Sequence, residues 1–125
     1  TILLAEDEAG VRATVRLALE SNGYTVLPAQ NGDEAVKICR QHPGVIHLLM
    51  TDVVMPKMSG RQLADHVVGL RPQIKVLYLS GYTDDAIVRH GVLEAGMAFL
   101  QKPFTSMVLT RKVREVLEAV KTARS

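Results

Sequence analysis

Carboxylates, a hydroxyl and an amine recur in this chain at the ends of short apolar runs. They are Glu6 and Asp7 in "ILLAEDEAG", Asp52 in "LLMTDVVMPKMSG", Ser80 in "VLYLSGYTDD" and Lys102 in "FLQKPF". Gathered at one place, three carboxylates (−3) and one ammonium (+1) carry a net −2. Two carboxylates about 4 Å apart repel by roughly 4 kcal/mol at an effective dielectric near 20. Such a cluster either raises a carboxylate pKa or binds a divalent cation. Oxygen donors without cysteine or histidine suit Mg²⁺. A carboxylate beside Mg²⁺, a hydroxyl and a lysine is a constellation that accepts a phosphoryl group. Asp52 would be the nucleophile and would form an acyl phosphate. The cation and Lys102 would neutralise the transferred group, and Ser80 would donate to one of its oxygens.

Every one of these residues also has an ordinary explanation. Asp7 could cap a helix and Glu8 could sit in its first turn, both favoured by the helix dipole. Asp52 could begin a turn, Ser80 could be a turn hydroxyl, and Lys102 could be a surface lysine. The conjunction favours chemistry, provided that the fold brings these positions to one edge.

The elements that would do so are legible. Five apolar runs, Ile2–Ala5, Thr25–Ala29, Ile46–Thr51, Lys75–Leu79 and Met97–Gln101, have the length of ordinary strands. Four lack clean polar alternation, as strands covered on both faces do. The second contains Pro28, which cannot donate to a ladder and so predicts an edge position. Helical patterns lie between and after the strands. Val11, Val15, Ala18 and Leu19 share one face before the stop at Gly23. "NGDEAVKICRQHP" begins with capping residues and ends before Pro43, and Ser59 caps a helix through Leu63 and Val67. Thr83 caps a segment over Asp84–Ala95 that stops at Gly96. Thr105 opens the last helix, striped by Leu109, Val113, Val116, Leu117 and Val120. The alternation predicts an α/β fold, a five-stranded parallel sheet in the order 2-1-3-4-5 flanked by five helices. In such sheets sites form beyond the carboxyl ends of the strands, at the switch point between the first and third. The charged residues follow the first, third, fourth and fifth strands, and the second, at the edge away from the switch point, ends in "PAQNG" with nothing ionisable.

The bulk properties are those of one soluble domain. The chain has 125 residues, 47% apolar and 22% charged, with a net charge of +2 and no basic stripe of the kind that binds nucleic acid. Cys39 is the only cysteine and is expected to be a small buried hydrophobe. No apolar run reaches membrane-spanning length and no signal peptide is visible, so no membrane contact and a cytoplasmic setting are expected. The start at Thr1 is read as a domain (1–125) cut from a longer chain. His42, His47, His66 and His90 lack metal-ligand spacing, and "RKVRE" reads as a solvated helix face.

The strand-end residues, taken in order, resemble the receiver (response-regulator) domain family of two-component signalling, over nearly the whole chain. "YLSGYTDDAIVRHGVLEAGMAFLQKPF" is similar to the receivers attached to the C-terminal side of hybrid sensor histidine kinases. The resemblance implies Asp52 as phosphoacceptor, Asp7 and Asp52 as direct Mg²⁺ ligands, Glu6 acting through a water, and the backbone carbonyl of Val54 as a further ligand. It implies Ser80 as a switch hydroxyl, Lys102 as the phosphate-binding lysine, and Pro103 as a proline that often follows a cis bond. Phe99 matches the switch aromatic, a position it could also hold as plain core. The implied partner is the phosphohistidine of a histidine kinase or histidine phosphotransfer domain. A receiver homodimer would form through the helix expected over Asp84–Ala95, the fifth strand and the last helix, with Val88, Met107 and Val108 as apolar candidates there. Val54 and Tyr82 would flank the phosphoryl group and slow its hydrolysis. The chain would catalyse its own phosphorylation and slow dephosphorylation while serving mainly as a switch.

Two other readings use similar groups. An aspartyl-phosphate hydrolase of the haloacid dehalogenase type places its nucleophile in a DxD pattern after the first strand, where this chain has "EDE". A docking module that takes no phosphate would not need the full set of acids, hydroxyl and lysine.

Overall fold

The computed structural model describes residues 1–80 and 98–123, with the backbone alone for 119–123. Its sheet has five parallel strands: β1 (Ile2–Ala5), β2 (Val26–Ala29), β3 (Leu48–Asp52), β4 (Lys75–Ser80) and β5 (Ala98–Gln101). Their order is β2-β1-β3-β4-β5, as the sequence predicts. Pro28 lies on the edge strand, opposite Leu4 of β1, where its missing N–H costs no second ladder. Four helices are described: α1 (Ala9–Glu20), α2 (Gly32–Gln41), α3 (Gly60–Leu70) and α4 (Ser106–Ala123). The fourth of the five expected helices, over Asp84–Ala95, lies outside the described residues, together with Tyr82, Thr83, Val88, His90 and Gly96.

Alternate residues of the same strand feed two cores, which is why these strands read as continuous apolar runs. Leu3, Ala5 and Leu49 pack with Ala35, Cys39, Leu63 and Val67 on the α2–α3 side. Ile2, Leu4, Leu48, Met50, Leu77 and Leu79 pack with Val15, Leu19, Leu109 and Val113 on the other. Cys39 is a buried free thiol, as expected.

The helix starts are fixed by side chains named from the sequence, with one correction. Asn31 accepts from the Glu34 amide at 2.8 Å. Ser59 and Gln62 form a reciprocal capping box. Thr105 accepts from the Val108 amide at 3.2 Å. At α1 it is the alternative of Asp7 as a cap that fails, while Glu8 keeps its place at the helix start. Glu8, not Asp7, holds the N-cap position, its side chain makes no cap bond, and the first turn contains no acid. Gly23 ends the turn after α1 at φ +90°, a backbone conformation that suits glycine.

Candidate functional site

Register decides which side chains meet at the carboxyl edge. Ala5 of β1 lies opposite Thr51, and Asp52 lies opposite Leu79. The next residues, Glu6 and Asp52, therefore emerge side by side from the two central strands. Ser80 ends β4 opposite Gln101, and the Lys102 amide donates to the Ser80 carbonyl at 2.6 Å. One backbone bond thus brings the hydroxyl and amine positions together. The Lys102–Pro103 peptide is cis.

Lys102 Nζ lies 2.8 Å from Glu6 Oε1 and 2.7 Å from Asp52 Oδ1. Glu6 is fully buried, Asp52 is 5% exposed and Ser80 is buried. The second Glu6 oxygen accepts from the Glu8 amide at 3.1 Å. Asp7 is exposed, yet one oxygen from each of Glu6, Asp7 and Asp52 lies within 4.8 Å of the others. Lys102 directs its hydrogen bond to Glu6. Asp52 Oδ1, although close to that ammonium, receives no well-directed hydrogen bond among the described residues.

This arrangement separates the two buried acids electrostatically. Burial raises the Asp52 pKa, the Glu6 carboxylate beside it raises it further, and the attraction of Lys102 is not enough to offset them; the result is about 9. Burial also acts to raise Glu6, but hydrogen bonds with Asp52, Lys102 and the Glu8 amide prevail and hold it below the ordinary range. Burial opposes the charge on Lys102, but its two carboxylate partners raise its pKa overall. Without a cation, the Asp52–Glu6 pair keeps a shared proton at neutral pH.

The residues named from the sequence therefore fall into groups. Glu6, Asp7, Asp52, Ser80 and Lys102 converge on one edge. Val54 follows in the adjoining loop with its side chain 49% exposed. Phe99 is 42% exposed on β5, opposite Tyr78, so it is not core in this structure. Met107 and Val108 are exposed on the first turn of α4. Tyr82 and Val88 lie outside the described residues.

Two contributors were missed. Arg12 Nη1 donates to the Glu6 carbonyl at 2.7 Å and ties the acidic turn to α1. Gly60 lies against the backbone of Asp52. A glycine directly after the cap Ser59, where better helix formers abound, was the available signal for the second.

Comparison with known proteins agrees with this geometry. The profile of the response regulator receiver domain matches residues 2–114. The chain belongs to that family, the receiver domains of response regulators and hybrid kinases, and the hydrolase reading falls with that assignment. It is 42% identical over 118 residues to the sensor kinase CckA of Brucella abortus, covering 94% of this chain but 12% of that protein. It is 33% identical to the response regulator receiver protein CpdR of the same organism, covering 94% of this chain and 97% of that one. Among solved structures, the receiver domain of the hybrid histidine kinase CckA superposes with a TM-score of 0.78 at 32% identity, covering 94% of this chain and 98% of that one. A receiver domain protein from Clostridium thermocellum gives a TM-score of 0.83 at 26% identity, covering 98% and 97%.

Proposed function

We propose that Asp52 accepts a phosphoryl group from the phosphohistidine of a histidine kinase or histidine phosphotransfer domain. The observation that carries this reading is the buried Asp52 carboxylate, 2.7 Å from Lys102 and grouped with Glu6 and Asp7. In the transfer an Asp52 oxygen forms a bond to phosphorus as the phosphorus–nitrogen bond to the donor imidazole breaks. The ring nitrogen leaves with the bonding electron pair and is then free to take a proton. Lys102 is placed to turn from Glu6 and Asp52 toward the new phosphoryl oxygens, and Ser80 to donate to one of them.

The donor set fits Mg²⁺. It consists of hard oxygens, and Asp52 Oδ1 is a buried acceptor that lacks a directed donor. Glu6, Asp7, Asp52 and the Val54 carbonyl would hold the ion, which when bound neutralises charge on the transferred group. Glu6 is already engaged by Lys102 and the Glu8 amide, which supports the implied assignment of Glu6 to a water-mediated part.

The dianion on Asp52 would draw Ser80 inward and open room for the exposed Phe99 ring, repacking the face of β5 and α4. That face, with Met107 and Val108, is where a second copy would dock. Val54 and Tyr82 would shield the phosphoryl group from water. The setting we infer is cytoplasmic, alone or as one domain of a longer chain; no helix among the described residues is long and apolar enough to cross a membrane.

Incubation with Mg²⁺ and a small-molecule phosphodonor, followed by intact-mass measurement, tests the proposal. A single long-lived phosphoryl gain, abolished by Asp52→Asn, is expected. No gain would leave the phosphate-independent docking module as the better reading.

A further inference from the structure

Two helices of this molecule begin with a buried glycine directly after a polar cap: Gly32 after Asn31 and Gly60 after Ser59. Glycine costs a helix roughly 1 kcal/mol relative to alanine, so each position needs a reason. At Gly60 the reason is Asp52. A Cβ there would stand 1.9 Å from the Asp52 carbonyl oxygen, 2.9 Å from its carbonyl carbon and 3.1 Å from the Val53 Cα. The Gly60 amide also donates to the Val53 carbonyl at 2.9 Å. The first turn of α3 therefore rests directly on the peptide that links the phosphoacceptor to the loop carrying the Val54 carbonyl. Gly32 meets that loop from the other side, where a Cβ would stand 2.7 Å from Met58 Sδ and 2.9 Å from its Cβ. By contrast, Gly69 in the same helix α3 would meet nothing within 4 Å.

We propose that Gly60 is a positioning residue for phosphoryl transfer: its missing side chain lets α3 set the Asp52–Val53 backbone, and so the Asp52 carboxylate and the Val54 carbonyl. The proposal rests on the reading of Asp52 as phosphoacceptor. β3 itself has little freedom to yield, since β1 and β4 pair with it on both sides and the Val53 amide donates to the Leu79 carbonyl at 3.0 Å. A methyl group at position 60 would therefore be accommodated by the end of the strand, where the reactive groups lie. A displacement of about 1 Å at a reacting group can cost on the order of 100-fold in rate. Disturbing the shell that orients metal ligands typically costs about 10–100-fold in affinity.

The test compares Gly60→Ala with Gly69→Ala, two identical changes in one helix. Calorimetric titration with MgCl₂ reads the metal site without any phosphoryl chemistry, and intact mass with a small phosphodonor reads the rate of uptake. Gly60→Ala is expected to weaken Mg²⁺ binding about 10-fold and to slow uptake roughly 100-fold while remaining folded by circular dichroism. Gly69→Ala should match the parent in both. In case Gly60→Ala does not fold, the unmodified protein supplies a second measurement. In an NMR titration with MgCl₂ the Gly60 amide should shift together with those of Asp52 and Val53, and the Gly69 amide should not. A folded Gly60→Ala with parental Mg²⁺ affinity and uptake overturns the proposal, as does a Gly60 amide that ignores the metal. If the parent itself takes up no phosphoryl group, the reading of Asp52 falls and this proposal falls with it. Parental uptake beside an unaffected Gly60→Ala sinks the positioning role alone.

Discussion

At the amino-terminal edge of the sheet, the guanidinium of Arg71 meets acceptors in every direction. It donates to the carbonyls of Cys39 (3.1 and 2.9 Å), His42 (2.7 Å) and Gly44 (2.7 Å), closing the end of α2 and the loop after it. At the carboxyl edge, the single ammonium of Lys102 is divided between two buried carboxylates, with Asp7 close by. One edge pairs a cation with helix-end carbonyls that would otherwise lack donors. The other concentrates like charge where burial makes it expensive. The difference separates stability from function: the satisfied edge holds the fold, and the frustrated edge is free to respond to a ligand. An open groove of about 840 Å³ also lies at the Arg71 edge, lined by Tyr24, His47, Arg71 and Lys75, and it touches none of the reactive groups.

The largest effect expected in stability comes from the satisfied edge. Arg71→Ala leaves three carbonyls short of a charged donor, and hydrogen bonds to charged groups contribute about 1.5–3 kcal/mol each before non-additivity. Unfolding in urea should show a loss of roughly 3 kcal/mol, and the midpoint temperature should fall by about 10 °C. Mg²⁺ affinity should hold at the parental value in the variant still folded at low temperature. A loss of metal binding in folded Arg71→Ala would break the separation of the two edges.

At the frustrated edge the same kind of measurement should go the other way. Asp52→Asn replaces an acid that must hold its proton to stay buried beside Glu6 with a neutral polar amide, so the metal-free protein should gain stability, by about 1–2 kcal/mol. The gain has a pH signature. Between about pH 4 and 9 the folded protein retains a proton on Asp52 that the unfolded chain has released. That contribution is fully present below the unfolded value of 3.8 and is lost as pH rises through about 9. Parental stability in chelator should therefore decline relative to Asp52→Asn across this window, by no more than about 1.4 kcal/mol per pH unit. Glu6, held low, acts in the opposite sense, with stability lost only as pH falls below its unfolded value of 4.5. Denaturation of both proteins at pH 5, 7 and 9 checks the sign. A gap that stays constant from pH 5 to pH 9 would mean that Asp52 is ionised throughout and the edge is not frustrated.

How much of this was legible in the sequence follows the same division. Strand order, the edge place of Pro28, three helix caps and the convergence of the five reactive residues were all readable, because periodicity and strand-end position are local signals. Within "EDE" the sequence separates two acids for a metal from one at a helix start, but not their burial. It shows three adjacent acids, whereas register buries Glu6 and leaves Asp7 exposed. Glu8 stands at the helix start, as expected, and its amide is used by the Glu6 side chain. Gly60 and Arg12 escaped because their partners are backbone atoms, Asp52 and Val53 for one and Glu6 for the other. A backbone carbonyl has no letter in a sequence.

Arg12 supplies the smallest and finest test of the comparison, since it brings a guanidinium paired with a backbone carbonyl to the frustrated edge. Two effects of removing it oppose each other. Losing a positive charge near the acids favours a divalent cation, whereas losing the 2.7 Å bond to the Glu6 carbonyl loosens the turn that carries Glu6 and Asp7. Arg12 is only half-buried, so solvent screens its charge, while the hydrogen bond is direct and its loss costs about 1 kcal/mol. The tether should therefore dominate, and Arg12→Ala should bind Mg²⁺ roughly 5-fold more weakly by calorimetry. Arg12→Lys keeps the charge but lacks the planar fork, and should recover only part of that loss. Tighter Mg²⁺ binding in Arg12→Ala would reverse the ranking and show that charge crowding, rather than the placement of the turn, limits the metal site.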